Sequence, residues 1–208
     1  MTKIKICGIT NYEDALGACN LGADYLGFNF YPKSPRFVDD KSASDIIKKL
    51  SGKAKIVGVF ANQSAESIKK TSDCCGLDLI QLSGDESNDF ILSLKKKSDK
   101  KIIKCFHVRN SDDKLRKKIF IEGNFFDYLM LDSFKKGSYG GTGKSFDLEF
   151  AKGIDNKKLF LAGGLNEKNI KQAINKIHPF AVDVCSSIEK YPGKKDFNKM
   201  KKFIEAAR

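Results

Sequence analysis

Short runs of β-branched and apolar residues recur along this chain at positions 3–9, 25–30, 55–61, 77–83, 101–108, 128–132, 159–163 and 181–187. Each is short and edged by turn-forming residues, which predicts a strand. Between them the apolar residues return with helical spacing, over 13–21, 42–50, 65–74, 87–96, 111–121 and 166–176, and a last helix is predicted over 196–207. Strand starts follow one another at roughly 22–31 residues, which suits a strand, a helix and short connections. Eight strands alternating with helices predict an α/β chain folded as a (β/α)8 TIM barrel, one compact domain over residues 1–208. Such barrels usually need roughly 250 residues, so this one carries few insertions. An open doubly wound sheet is the alternative that the strand count leaves standing. Asn11, Ser64 and Asn166 sit where the first, third and seventh helices would take an N-cap. The connection over 133–146 is unusually long and holds Gly137, Gly140, Gly141 and Gly143. A connection of that length is functional or disordered.

Composition narrows the function classes. The chain carries 38 Lys and Arg against 26 Asp and Glu, a net charge of +12. The lysines are spread over predicted helices, as in Lys48-Lys49, Lys69-Lys70 and Lys117-Lys118, with no basic arm interleaved with aromatics. That reads as a solvated outer surface rather than a nucleic-acid face, and its field attracts an anionic small substrate. A basic RNA-binding protein remains the rival, marked by salt-dependent binding to unrelated sequences. No window of 18 apolar residues offers a membrane span, and the first strand begins without a signal-peptide core. The six cysteines, at 7, 19, 74, 75, 105 and 185, form no C-x-x-C pair. Their pattern argues against a disulfide framework or zinc site and for a cytoplasmic location. His107 and His178 lie far apart, so no His-rich metal cluster is expected.

Candidate chemistry gathers at the strand ends, which converge on one mouth in a closed barrel. In the first strand Ile4 and Ile6 share the face that suits packing on helices, so Lys3, Lys5 and Cys7 face the interior. The same alternation places Asp132 beside Met130 in the sixth strand, Asp183 and Cys185 opposite Val182 and Val184, and Gln81 and Ser83 opposite Ile80 and Leu82. A lysine, a thiol, two carboxylates and an amide are not buried together in an ordinary core. Each alone has a plainer reading: Cys7 as a packed small residue, Asp132 as a cap, Arg36 as a surface arginine. A thiol becomes a base near neutrality when a cation lowers its pKa, and Lys5 is the candidate cation, with a purely structural pair to Asp183 as the alternative. Arg36 ends a loop stiffened by Pro32 and Pro35, and a guanidinium suits a carboxylate. Gly163, Gly164, Ser186 and Ser187 follow strands seven and eight, where such barrels often hold phosphate on backbone amides near a helix start. The segment 138–145 falls one residue short of a nucleotide-binding P-loop.

Taken in order, eight blocks resemble the phosphoribosylanthranilate isomerase family over essentially the whole chain. They are Lys5-Ile-Cys-Gly8, the stretch from Gly27 to Arg36, Gly58-Val-Phe60, Ile80-Gln-Leu82 with Gly84-Asp-Glu86, Leu131-Asp132, Gly140-Gly-Thr-Gly143 with Phe146-Asp147, Ala162-Gly-Gly-Leu165, and Val182-Asp-Val184 with Ser186 and Glu189. The resemblance implies a cofactor-free, metal-free Amadori rearrangement of N-(5-phosphoribosyl)anthranilate in tryptophan biosynthesis. It implies Asp132 as general acid and Cys7 as general base, with Arg36 at the anthranilate moiety and Asp183 at a ribose hydroxyl. It further implies phosphate on the Gly163, Gly164, Ser186 and Ser187 amides, with Lys5, Gln81, Gly141 and Gly143 among the substrate-binding groups. The expected partner is a small phosphosugar, with the enzyme a monomer or homodimer. Two departures stand out: Ser83 where the family usually has histidine, and Cys185 and Ser187 in place of the more usual Ser and Gly. A histidine-pathway isomerase would be expected to carry a carboxylate at Cys7, an epimerase metal-ligating histidines. A silent phosphate sensor would be expected to lack Cys7 or Asp132.

Overall fold

The computed structural model describes residues 1–108, 119, 121–133, 148–151, 154–155 and 158–208. Eight parallel strands close into a barrel in chain order: β1 (Lys3–Cys7), β2 (Tyr25–Asn29), β3 (Lys55–Phe60), β4 (Leu79–Leu82), β5 (Lys101–Val108), β6 (Tyr128–Ser133), β7 (Leu159–Leu161) and β8 (Ala181–Val184). Closure is made by β8 returning beside β1, with Lys5 opposite Asp183 and Ile6 opposite Val184. That pairing decides for the barrel over the open sheet. Helices α1 (Tyr12–Asn20), α2 (Asp40–Leu50), α3 (Ala65–Cys75) and α4 (Asn88–Lys97) follow the first four strands. Later come α5 (Leu148–Ala151), α6 (Ile170–Ile177) and α7 (Phe197–Ala207). The helix expected over 111–121 and the glycines of the 133–146 connection fall almost wholly outside the described residues. Among the described residues no helix is long and apolar enough to cross a membrane.

Strand alternation builds two cores. Outward side chains such as Ile4, Ile6, Leu26, Ile80, Leu82, Val182 and Val184 join the helices in one large apolar cluster. Inward side chains Val57, Leu79, Ile103, Cys105, Met130, Phe160, Ala162 and Ala181 form a second, inside the barrel. Tyr25, Tyr128 and Phe180 pack under it, and the Phe160 ring lies edge-on to Tyr25 and to Tyr128 at 5.5 Å between centroids. The strand starts are thereby plugged with aromatic rings. Lys3 does not continue the interior face: at the first position of β1 its chain reaches water and its Nζ meets Asp24 at 2.9 Å.

One device repeats at this lower rim. Asp24, Asp78 and Asp127 each stand just before a strand and accept the backbone N–H of the second residue in the preceding strand, Ile4, Ile56 and Ile102, at 2.8–2.9 Å. Each aspartate thus fixes the register of the next βα unit. Asn11 and Ser64 cap their helices as expected, accepting from the amides of Asp14 and Ser67. Asn166 caps the turn that leads into α6: its Oδ1 accepts the Lys168 amide at 2.9 Å and its carbonyl accepts the Ile170 amide at 3.0 Å, while its side-chain amide and that of Asn169 donate to the Gly164 carbonyl, and the regular helix begins at Ile170.

Candidate active site

The upper end of the barrel opens into a pocket lined from nearly every strand, with Cys7, Gly8, Asn29, Arg36, Gln81, Ser83, His107, Asp132, Gly163, Gly164, Asp183 and Cys185 on its wall. Ten of the expected site residues are described, and the structure brings nearly all of them here. Gly141 and Gly143 lie outside the described residues.

Cys7 and Lys5 leave β1 on the same interior face, Lys5 one layer deeper. Lys5 is fully buried and its Nζ donates to Asp183 Oδ1 at 2.6 Å. Burial alone would discharge the amine. Asp183 and Cys7 outweigh it and hold Lys5 above the usual ammonium range. Cys7 is brought down to about 6, first by a hydrogen bond from Cys185, against the cost of burial, and then by the charge of Lys5. Cys185 moves the opposite way, since its proton is engaged by Cys7 and its site is buried. The thiol at the end of β1 is thus ionised near neutral pH, as a proton acceptor must be.

Across the mouth, β5 and β6 run in register with His107 opposite Asp132. His107 Nε2 lies 3.0 Å from the Ser83 carbonyl, and burial keeps its ring below the ordinary histidine pKa. Ligand atoms of Cys105, His107 and Asp132 come within 4.8 Å of one another, a gathering that the distance between the two histidines in sequence does not reveal. Gln81 donates to Ser83 Oγ at 3.0 Å. Its Oε1 is buried and has no hydrogen-bond partner among the described residues, so the pocket wall presents an unused acceptor.

Arg36 is held rather than merely placed. Its Nε and Nη2 donate to both oxygens of Glu189 at 2.7–3.1 Å. Glu189 also accepts from Lys195 Nζ at 3.0 Å and from the Gly193 amide at 3.2 Å. Burial works against the Glu189 charge, but the two cations keep its pKa below the usual range. Glu189 and Lys195 lie on a short antiparallel hairpin, β9 (Glu189–Tyr191) and β10 (Lys194–Lys195). Lys195, fully buried at its side chain, also reaches the Cys185 carbonyl at 3.4 Å. Sequence reasoning misses Lys195, assigns no role to Glu189 and sets His107 aside. The turn signal Pro192-Gly193 could have found the hairpin, and alternation with buried Cys105 could have turned His107 inward.

At the opposite lip, Gly163 and Gly164 have φ of +87° and +66°, a region that side chains rarely adopt. Ser187 Oγ donates to the Leu165 carbonyl at 2.6 Å and ties this turn to the 3-10 turn Ser186–Ile188. The regular part of α6 starts at Ile170, and the turn capped by Asn166 carries the chain into it from Gly163 and Gly164.

A closed (β/α)8 barrel with its ionised thiol, carboxylates and glycine turns at one mouth belongs to the barrel enzymes that work on small anionic substrates. Comparison with known proteins narrows this. Residues 4–206 match the family model for N-(5'-phosphoribosyl)anthranilate isomerase. The chain is similar to the isomerase of Aquifex aeolicus, 46% identical with 99% of this chain and 98% of that one covered, and to that of Geobacter sp., 39% identical with 100% and 98% covered. In structure it resembles the Thermotoga maritima isomerase, with a TM-score of 0.89, 38% identity and 100% and 98% coverage. It also resembles an isomerase of this name in complex with reduced 1-(o-carboxyphenylamino)-1-deoxyribulose 5-phosphate, with a TM-score of 0.86, 36% identity and 100% and 98% coverage. The chain belongs to the N-(5'-phosphoribosyl)anthranilate isomerase family, enzymes of tryptophan biosynthesis.

Proposed function

We propose that this barrel isomerises N-(5-phosphoribosyl)anthranilate by acid–base catalysis, with Asp132 as the acid and Cys7 as the base. The observation that carries the reading is the Cys7 thiol, hydrogen-bonded by Cys185 and seated above the Lys5–Asp183 pair, in the same pocket as Asp132. The acid protonates the furanose ring oxygen, the C1–O bond breaks, and the open chain is a Schiff base. The Cys7 thiolate then removes the proton from C2, and the C–H electrons neutralise the iminium as an enolamine. Tautomerisation gives 1-(2-carboxyphenylamino)-1-deoxyribulose 5-phosphate. Each transfer needs only a group poised near neutral pH within reach of its proton.

The other residues fit as binding groups. Arg36, fixed by Glu189, offers a guanidinium to the anthranilate carboxylate. Asp183, anchored by Lys5, faces a ribose hydroxyl. Gly163, Gly164, Ser186 and Ser187 take the phosphate, with Gly141 and Gly143 as further binding positions. Gln81 Oε1 supplies an acceptor. The enzyme works as a monomer or homodimer. All six thiols are unbridged, which suits the cytoplasm. The test is a fluorescence assay following loss of freshly made phosphoribosylanthranilate with purified protein. Turnover by wild type and its collapse in Cys7→Ala and Asp132→Asn is expected, and no turnover by wild type refutes the reading.

A further inference from the structure

We propose that Cys7 and Cys185 form an oxidation site, in which a peroxide converts the two thiols into a disulfide that takes the base out of action and a thiol reductant restores it. The inference rests on the reading of Cys7 as the base. Its ground is the geometry of barrel closure. The β1–β8 pairing runs Lys5 with Asp183 and Ile6 with Val184, so Cys7, the last residue of β1, and Cys185, the first residue past β8, follow on side by side. Adjacent strands stand about 4.8 Å apart, inside the window of roughly 4.4–6.8 Å between Cα atoms that a disulfide spans. Both sulfurs turn into the same pocket. A side chain on Gly8 would meet Cys185 Sγ at 2.9 Å and one on Gly27 would meet Cys7 Sγ at 2.8 Å, so glycines on both sides clear the space that the sulfurs occupy.

The chemistry divides the roles. Cys7 is the ionised partner, and the thiolate is the form that attacks a peroxide. Its sulfur attacks one oxygen of hydrogen peroxide: an S–O bond forms, the O–O bond breaks, and the departing hydroxide leaves as water with a proton from solvent. Cys7 is then a sulfenic acid, oxidised by two electrons. Cys185 is the resolving thiol. Its sulfur attacks Cys7, the S–S bond forms, the S–O bond breaks, and hydroxide leaves with the Cys185 proton as a second water. Two thiols and one peroxide give one disulfide and two waters. Lys195 Nζ, 3.8 Å from Cys185 Sγ, is a cation beside the resolving sulfur and favours its thiolate as it attacks. The other four cysteines lie elsewhere in the fold, Cys105 deep in the barrel interior.

The experiment treats the folded protein with hydrogen peroxide, blocks remaining thiols, digests it with trypsin and maps cross-linked peptides. Tandem mass spectrometry separates Cys7 from Cys19, which share a peptide. A Cys7–Cys185 link is expected, together with a loss of activity of at least about tenfold that dithiothreitol reverses. In Cys185→Ser the link disappears and Cys7 accumulates as a sulfenic acid captured by dimedone. Wild-type Cys7 that passes to sulfinic acid with no link to Cys185 overturns the oxidation site. If the link forms and turnover is untouched, the base assignment is what fails, and an active Cys7→Ala confirms that failure independently.

Discussion

The lower and upper halves of the barrel interior are made from the same eight strands by the same alternation, yet they are different materials. The lower half is Leu79, Ile103, Phe160 and Ala181 over a floor of Tyr25, Tyr128 and Phe180, with aromatic rings in edge and stacked contact. The upper half is Lys5, Cys7, Gln81, Asp132 and Asp183, where burial is offset by specific partners. Apolar burial stabilises without direction. A buried charge stabilises only through its partner, and its protonation follows that partner. The lower half therefore holds the ring shut, and the upper half spends that rigidity on keeping a thiol ionised.

Substitutions that strike one half should leave the other's signature intact. Phe160→Ala empties the centre of the lower layer and should cost about 3–5 kcal/mol of unfolding free energy, read by denaturant titration. The pH at which kcat/KM of its folded fraction rises should not move. If that midpoint shifts, the two halves are not separable. Cys7→Ala and Asp132→Asn should each lower kcat by at least about a hundredfold while the denaturation midpoint stays close to wild type. Near-wild-type turnover in either variant removes that residue from the chemistry.

The comparison sharpens at the boundary layer. Replacing the pair together, Lys5→Met with Asp183→Asn, avoids the penalty of about 3–5 kcal/mol for stranding one buried charge. Wild-type kcat/KM should rise with pH through the Cys7 pKa of about 6, because the thiolate is the active form. Lys5 stabilises the thiolate more than Asp183 opposes it, so the double variant should raise that midpoint, on the order of one pH unit. An unmoved midpoint assigns the pair to structure alone. The smallest effect belongs to Gly164→Ala, where a side chain is forced to φ of +66°. It should weaken competitive inhibition by inorganic phosphate several-fold, about 1 kcal/mol, with little change in kcat. Unchanged inhibition moves the phosphate away from this turn.

Period-two alternation was enough to place Cys7, Lys5, Gln81, Asp132 and Asp183 on one interior face, although it also turned Lys3 inward, where the strand start instead lets the side chain reach water. Closure, once eight strands were counted, was enough to bring Asp183 to Lys5. What alternation could not supply was anything built off the strands. The Arg36–Glu189 pair joins residues 153 positions apart through a hairpin of five strand residues, too short for a periodic signal.

The Lys5–Asp183 contact ties together groups 178 positions apart in the chain. A contact of that span is among the last that a folding chain can close, because the loop it seals contains nearly the whole molecule. The proton acceptor therefore acquires its tuned environment only when the final strand docks beside the first. Any intermediate that lacks β8 holds an ordinary thiol, however complete its other seven strands. The ability to turn over substrate is in this sense a certificate of finished folding. During refolding, catalysis should appear with the last kinetic phase and never ahead of it.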